Sequence, residues 1–396
     1  MQTILTINGG SSSLKCTLFK TGKNDVTPIY QFKLGNILGD SPRITITDGS
    51  GNKITPPSID VSGIDKSARH KKALSTVLDW LTENAADLKI TAFGHRVVHG
   101  GEQYSAPVLI NQDKMDHLKA FIPLAPLHQP YNLLLIEACQ ILAPELPQIA
   151  CFDTMFHVGQ PAVERHYAIP RKFTDEGIQR YGFHGLSYEY IQKSLSNISD
   201  EAGKAKTIVC HLGAGASMCA THHGKSIAST MGFTAVDGLP MGSRCGNLDP
   251  GVLLYLQRHH HMDTDALEKM IYQESGWLGV SGISSDMLTL HQANTPDAEE
   301  AIDMLAYRIA LELGRLSAAL GGLEQIVFTG GIGENDANLR KRVLDRSQWL
   351  GVVYDDEANT TNLKMISTES SKVAIRVIPT NEEAMIALHT IEIVEG

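Results

Sequence analysis

The chain has 396 residues, 42% of them hydrophobic and 20% charged, with a formal net charge of -10. That is too long for one ordinary core, so two domains are expected, and the acidic balance argues against nucleic acid or an anionic membrane as the main partner. No run approaches 18 apolar residues and no basic-then-apolar leader opens the chain, so neither a membrane span nor a signal peptide is expected.

Thr3 to Ile7 read as a β-branched strand, Asn8-Gly9-Gly10-Ser11 as a turn, and Ser13 to Phe19 as the returning strand of a hairpin. The turn offers unshielded backbone N–H groups, hydroxyls, an amide and the nearby Lys15 ammonium, a set that suits phosphate oxygens and a hydrated cation. Residues 21–60 read as an antiparallel extension of this hairpin. Leu74, Val77, Leu78 and Leu81 recur at the helical period. A strand over Ile90 to Phe93 leads into GHRVVHGGE, read as a loop. IPLAPLHQPYN opens a helix through Ile141, and a strand over Gln148 to Phe152 ends at Asp153. A domain boundary is placed near residue 150.

The second half repeats the opening plan. Thr207 to Cys210 form a strand, HLGAGAS turns the chain, SMCA resumes it, and HHGK precedes SIAST. Two such hairpins, one beginning each half, suggest an internal duplication. Asp263 and Thr264 cap a helix. Thr295-Pro296 start another, in which Ile302, Leu305, Ile309, Leu313, Leu316 and Leu320 form a core stripe. Gln325 to Phe328 form a strand, TGGIGEN turns, and a helix starts at Glu334-Asn335. Val373 to Ile378 form the last strand, followed by PTNEE and a final helix. The triple histidine 259–261 reads as a solvated helix end. The six cysteines include no CxxC pair and read as buried free thiols of a reducing cytoplasm.

Three glycine turns after three strands, Gly9-Gly10, Gly213 to Gly215 and Gly330 to Gly333, together read as a nucleotide clasped between two domains. Gly224-Lys225-Ser226 lacks the first glycine of a Walker A loop, GGIGEN is not a full GxGxxG, and neither HExxH nor GxSxG occurs. Arg96 and Arg244 sit in glycine-rich segments, where a guanidinium can clamp carboxylate or phosphoryl oxygens. His95, His99, His128 and His184 are candidates for hydrogen bonding to a phosphoryl group, His184 foremost. Asn8, Asp153 and Glu382 offer hard oxygen to a hydrated magnesium ion.

NGGSSSLK, GHRVVHGGE, FDTMFH, RYGFHG, HLGAGAS, MGSRCGNLDP, TGGIGEN and PTNEE run in this order over nearly the whole chain. Together they closely resemble the motifs of the acetate kinase family, which includes propionate kinases. The resemblance implies an α/β protein with a duplicated ribonuclease H-like fold, as in actin, Hsp70 and sugar kinases, and an interdomain cleft. It implies a first domain of 1–152 plus 384–396, and a nucleotide-binding, dimer-forming second domain of 153–383. It further implies a cytoplasmic homodimer with Mg2+ (or Mn2+) as cofactor and ATP/ADP as co-substrate. Carried over motif by motif, Asn8 and Glu382 resemble the metal-linked positions. Ser11, Ser13 and Lys15 resemble the first phosphate loop. Arg96, Val98, Leu127 and Phe183 resemble the substrate pocket. Asp153, His184, Arg244 and His128 resemble catalytic positions. His211, Leu212, Gly213, Ala214 and Gly215 resemble one nucleotide loop, and Gly331, Ile332, Gly333, Glu334 and Asn335 another, with Asp286, Met287 and Leu288 on the purine side.

The chain also departs from that family. Ala214 stands where Asn is usual, Leu288 where Arg is, Leu186 and Tyr188 where Thr and His are, Ala228 where Asp is, and Ala235 where Pro is. The expected reaction is in-line transfer of the ATP γ-phosphoryl group to a short carboxylate, with acetate first and propionate second, because Ala235 leaves room for a methylene. A sugar or glycerol kinase of the same superfamily would use Asp153 as a base toward a hydroxyl. An Hsp70-type nucleotide-gated binding protein would carry a peptide-binding module after PTNEE. A nucleotide-binding paralogue with altered donor use would follow from Ala214 and Leu288.

Overall fold

The computed structural model describes residues 2–22 and 25–395. The chain packs into two units, Met1–Met155 with Asn381–Gly396, and Phe156–Thr380.

In the first unit the strands are β1 (Thr3–Gly9), β2 (Ser13–Thr21), β3 (Val26–Gly35), β4 (Arg43–Asp48), β5 (Lys53–Ile54), β6 (Ile90–Val97), β7 (Val108–Leu109) and β8 (Gln148–Phe152). They form one sheet in the order 5-4-3-2-1-6-8-7. The opening hairpin pairs Thr3 with Lys20 and Gly9 with Leu14, and β3 to β5 extend it antiparallel. β6 and β8 continue it in parallel. Parallel central strands need cover on both faces. One face packs Leu5, Ile7 and Leu14 against Leu74 and Val77 of helix Arg69–Asn84 and Leu135 of helix Gln129–Leu142. Each such side chain, fully buried, contributes roughly 1.5–3 kcal/mol. Helix Glu382–Glu395 packs on β1 and β6. Gly94 in β6 makes this approach possible, because a Cβ there would overlap the Ile386 and Thr390 side chains.

The second unit contains β9 (Thr207–Leu212), β10 (Ala216–His222), β11 (Lys225–Ser229), β12 (Gln325–Thr329) and β13 (Ala374–Val377). Their order is 11-10-9-12-13, with 9-10-11 antiparallel and 9-12-13 parallel. Strands 3-2-1-6-8 of the first sheet have the same plan, so the duplication expected from the two hairpins is present in the topology. Helix Pro296–Leu320 begins as its sequence dictates. Thr295 accepts the Ala298 N–H, Pro stands in the first turn, and a left-handed Gly321 ends it. Its six-residue apolar stripe is buried.

Three local readings are corrected. GHRV is not loop: β6 runs through Val97, because β1 and β8 satisfy its backbone on both sides. His211 and Leu212 belong to β9, leaving Gly213 to Gly215 as the turn. GGIGEN is itself a short helix, Gly330–Asn335, so the helix starts four residues before Glu334. Thr329 occupies its N-cap position, and the Glu334 carboxylate reaches back to accept the Gly330 N–H at 2.8 Å.

Candidate active site

In the first unit the functional candidates gather at the C-terminal ends of β1, β6 and β8. Arg96 points its Nε and Nη2 at Asp153, donating to Oδ1 at 2.9 Å and to Oδ2 at 2.6 Å. Its Nη1 donates to the Asn8 Oδ1 at 3.1 Å, and the Asn8 amide donates to Glu383 at 3.3 Å. The Asp153 side chain is 2% exposed and that of Arg96 18%. Burial opposes the charge on Arg96, but Asp153, then Glu382 and Glu383, overcome that and hold its pKa above the ordinary value. Burial likewise raises the Glu382 carboxyl, against the lowering pull of Arg96 and Lys15. Two predicted roles, carboxylate clamp and catalytic aspartate, thus belong to one ion pair.

Around it, Ser11, Ser13 and Lys15 lie exposed at the β1–β2 turn, which closes with the Gly10 N–H donating to the Ser13 carbonyl at 2.8 Å. Val98 is buried and its N–H donates to the Asn132 side chain at 3.0 Å. Leu127 and His128 are half-buried, with His128 at the N-cap position of helix Gln129–Leu142. His95 and His99 are core residues: burial lowers each to about 4, so both are neutral at pH 7. Among the described residues, no three His, Cys, Asp or Glu side chains form a protein-only metal cage. Asn8 and Glu382 still suit a magnesium ion that keeps waters and shares substrate phosphates, since Mg2+ rarely takes an all-protein shell.

In the second unit the candidates converge on the Gly213–Gly215 turn. The Gly213 N–H donates to the Gly215 carbonyl at 3.1 Å, and the Ala214 carbonyl accepts the Gly242 N–H at 3.2 Å, tying the turn to MGSRCG. That second loop lies along the start of helix Gly276–Ser281, where the Trp277 N–H donates to the Met241 carbonyl at 3.0 Å. Gly276 has φ 64, and a Cβ there would overlap the same carbonyl, so glycine is required. The Arg244 Nη1 donates to the Ala235 carbonyl at 3.0 Å.

His184 stands at the N-cap of helix Gly185–Ile198 in the left-handed conformation, φ 58. Its ring stacks on His211 with centroids 4.4 Å apart, and its Nδ1 lies 2.8 Å from the Ser217 Oγ. Behind the preceding residue, the buried His157 places Nε2 3.0 Å from the Phe183 carbonyl and Nδ1 2.8 Å from the Ser226 Oγ. Burial lowers His157 to about 4, so this clamp is neutral. A Cβ built on Gly215 would lie 3.5 Å from the His184 Nε2 and 3.9 Å from the Arg244 Nη1. One point beside a glycine turn therefore meets an imidazole nitrogen and a guanidinium, an arrangement for negative oxygen.

A cavity of about 500 Å³ adjoins this turn, lined by Ala214, Asp286, Met287, Leu288, Gly331, Ile332 and Asn335. Asp286 caps helix Met287–Ala293, accepting from the Thr289 N–H and hydroxyl, and those bonds lower its pKa. Leu212 and Gly333 are buried behind the lining. Glu334 is turned inward, accepting the N–H groups of Gly330 and Thr380. The Gly330 N–H is therefore already used within the protein. Trp277, His291, Asp336 and Asn338 also line the cavity. No motif marks them. Glu383 and Ser217 lay inside quoted motifs, but only the fold shows what they touch.

Two copies of a three-stranded hairpin continued by parallel strands, with glycine turns at the strand ends, define a duplicated ribonuclease H-like phosphotransferase fold. The chain belongs to the acetokinase family, whose model matches residues 3–388. It is 46% identical to acetate kinase of Methylocella silvestris over 99% of this chain and 98% of that one. It is 42% identical to acetate kinase of Rickettsia akari over 98% of each. Among solved structures it resembles a propionate kinase from Francisella tularensis, with TM-score 0.91 and 37% identity over 99% of this chain and 100% of that one. Acetate kinase of Porphyromonas gingivalis gives 0.87 and 35%, with both chains fully covered.

Proposed function

We propose that this protein transfers the γ-phosphoryl group of ATP reversibly to acetate, giving acetyl phosphate and ADP, as a phosphotransferase with a carboxyl acceptor (EC 2.7.2.1). The observation that carries this reading is the convergence of the His184 Nε2 and the Arg244 Nη1 on the Gly215 turn beside the cavity. Short carboxylic acids have pKa values of about 4–5 and are ionised at pH 7, so no base is needed to activate the acceptor. The barrier is electrostatic, because an anion attacks an anionic phosphoryl group. Arg96 neutralises the acceptor. Its four hydrogen bonds run from Nε to both Asp153 oxygens, from Nη2 to Asp153 and from Nη1 to Asn8, and the second N–H of Nη1 and of Nη2 is offered to a carboxylate. Asp153 holds that guanidinium in place. Val98 and Leu127 of the first unit and Phe183 of the second are assigned to the acyl methyl, and His128 to the reacting group. Arg244 and His184 meet charge on the equatorial oxygens, each worth roughly 3–4 kcal/mol of barrier by analogy with oxyanion-hole donors.

The nucleotide occupies the cavity, with the Gly213–Gly215 and Gly331–Asn335 segments toward its phosphates and Asp286 to Leu288 toward its base. Ser11, Ser13 and Lys15 contact the transferred group. Asn8 and Glu382 hold Mg2+ (or Mn2+) through oxygen and water, and the ion, when bound, neutralises phosphate charge. Propionate is a second acceptor, supported by the small Ala235 beside Arg244 and by the likeness to a propionate kinase.

A homodimer fits the apolar side chains exposed on helices Pro250–His259 and Pro296–Leu320, among them Leu254, Tyr255, Tyr307 and Leu311. Six free thiols, five of them buried, suit the cytoplasm. A hydroxamate assay across acetate, propionate, butyrate and glycerol with several phosphoryl donors tests the reaction. Acyl phosphate from a short acid is the expected outcome. Well-folded protein that forms none, or that phosphorylates only an alcohol, overturns it. Sedimentation velocity tests the dimer.

A further inference from the structure

His184 does not stand alone on its helix. Tyr188 lies one turn later and donates its N–H to the His184 carbonyl at 3.1 Å. Its phenolic oxygen is 2.5 Å from the Ser217 Oγ, which is itself 2.8 Å from the His184 Nδ1. Tyr188 and Ser217 are both buried, at 0% and 1% exposure. The Tyr188 ring is fixed edge-on against His157 and His211. Three side chains thus form a line of hydrogen bonds that ends on the imidazole nitrogen opposite the one facing Gly215.

Such a line can carry its protons in two directions. With the phenol donating to serine and serine donating to Nδ1, the neutral imidazole carries its proton on Nε2 and offers a donor at the Gly215 turn. In the reverse direction Nε2 is a bare acceptor and repels a phosphoryl oxygen. A phenol is a far stronger acid than an alcohol and is the better donor of the pair, which favours the first direction. An imidazole at position 188 could enter the line as donor or acceptor, whereas a phenol brings its own proton. We infer that Tyr188, acting through Ser217, is a positioning residue that fixes His184 in the tautomer with its N–H directed at the Gly215 turn. The inference rests on the proposed function for its catalytic meaning, but the tautomer itself is a property of the resting protein.

The experiment is 15N NMR of ring-labelled histidine in the full-length protein, with His184→Gln used to assign the signal. A pyridine-type Nδ1 and a pyrrole-type Nε2 for His184 are expected. Tyr188→Phe should mix the two tautomers and lower kcat about tenfold, leaving KM for acetate and for ATP within about twofold. Ser217→Ala should do the same, and it serves as the test if Tyr188→Phe does not fold. A proton found on Nδ1 in the unmodified protein overturns the inference. So does a tautomer unchanged in both variants. His184→Gln with undiminished turnover would instead overturn the role given to His184 in the proposed function, and the NMR result is read independently of it.

Discussion

The two sheets share a five-strand plan, yet their strand ends do opposite chemistry. In the first unit the ends of β1, β6 and β8 carry Asn8, Arg96 and Asp153, joined into a buried ion pair with an amide beside it. In the second unit the matching ends of β9, β12 and β13 lead into Gly213 to Gly215, the helix Gly330–Asn335, and Thr380. There the backbone supplies the polar groups, and the cationic side chain, Arg244, comes from a separate loop. The lesson is that a duplicated scaffold fixes where a site lies, not what it is made of. Charge built into strand ends is held rigidly, and removing one partner of a buried pair leaves the other uncompensated. Charge carried on a loop can be removed without opening the core.

The sharpest way to break this contrast is Asp153→Ala. It leaves Arg96 buried without its main partner, which typically costs about 3–5 kcal/mol, so a marked fall in Tm should accompany loss of turnover. An unchanged Tm would show that the first cluster is as dispensable to folding as the second. Arg244→Ala is the converse. Turnover should fall by about 10²–10³-fold, roughly 2.7–4 kcal/mol, with Tm nearly unchanged in differential scanning calorimetry. Near-normal phosphoryl transfer would defeat the role assigned to it.

Acid separates the units next. Burial lowers His95 and His99 in the first unit, and His157 in the second, from 6.5 to about 4. Between those pH values the unfolded chain binds more protons than the folded one. Stability from keeping these rings neutral is therefore full above about pH 6.5 and is lost as pH falls toward 4, up to roughly 3 kcal/mol per histidine. Burial also lowers His70 in the first unit, so among the described residues His70, His95 and His99 stand against His157, and amides of the first unit should lose hydrogen-exchange protection at higher pH than those of the second. The opposite order would refute that ranking. The smallest effect concerns Ala235. Acetate and propionate should differ in kcat/KM by less than about tenfold, below the roughly 10–200-fold by which one methylene is discriminated in a pocket that does not make room for it. A steep preference for acetate would mean that the small side chain opens no space.

Much of this was readable from the sequence where local chemistry and packing agree. The opening hairpin follows from β-branched residues around Asn8-Gly9-Gly10. Helix Pro296–Leu320 follows from Thr295, Pro296 and a stripe that continues to Leu320. What the sequence concealed is non-local. The end of β6 looks like loop because its polar residues face a cluster assembled from strands far apart in the chain. GGIGEN has poor helix propensity and is helical because the Glu334 carboxylate accepts the Gly330 N–H and closes its first turn. Arg96 and Asp153 each stand out in the sequence, but their pairing spans 57 residues and the Asn8–Glu383 bond 375. Trp277 and His291 line the cavity with no motif to announce them.

Helix Glu382–Glu395 covers β1 and β6 and delivers Glu382 and Glu383 to the first cluster, though residues 156–380 separate it from the rest of its unit. A ribosome must therefore translate the whole intervening unit before the earlier one can close. Until then the nascent sheet shows bare apolar strands and holds a guanidinium with only part of its counter-charge. Chaperone demand should concentrate in that interval, and a product terminated before residue 382 would be both unfinished as a fold and silent as a catalyst.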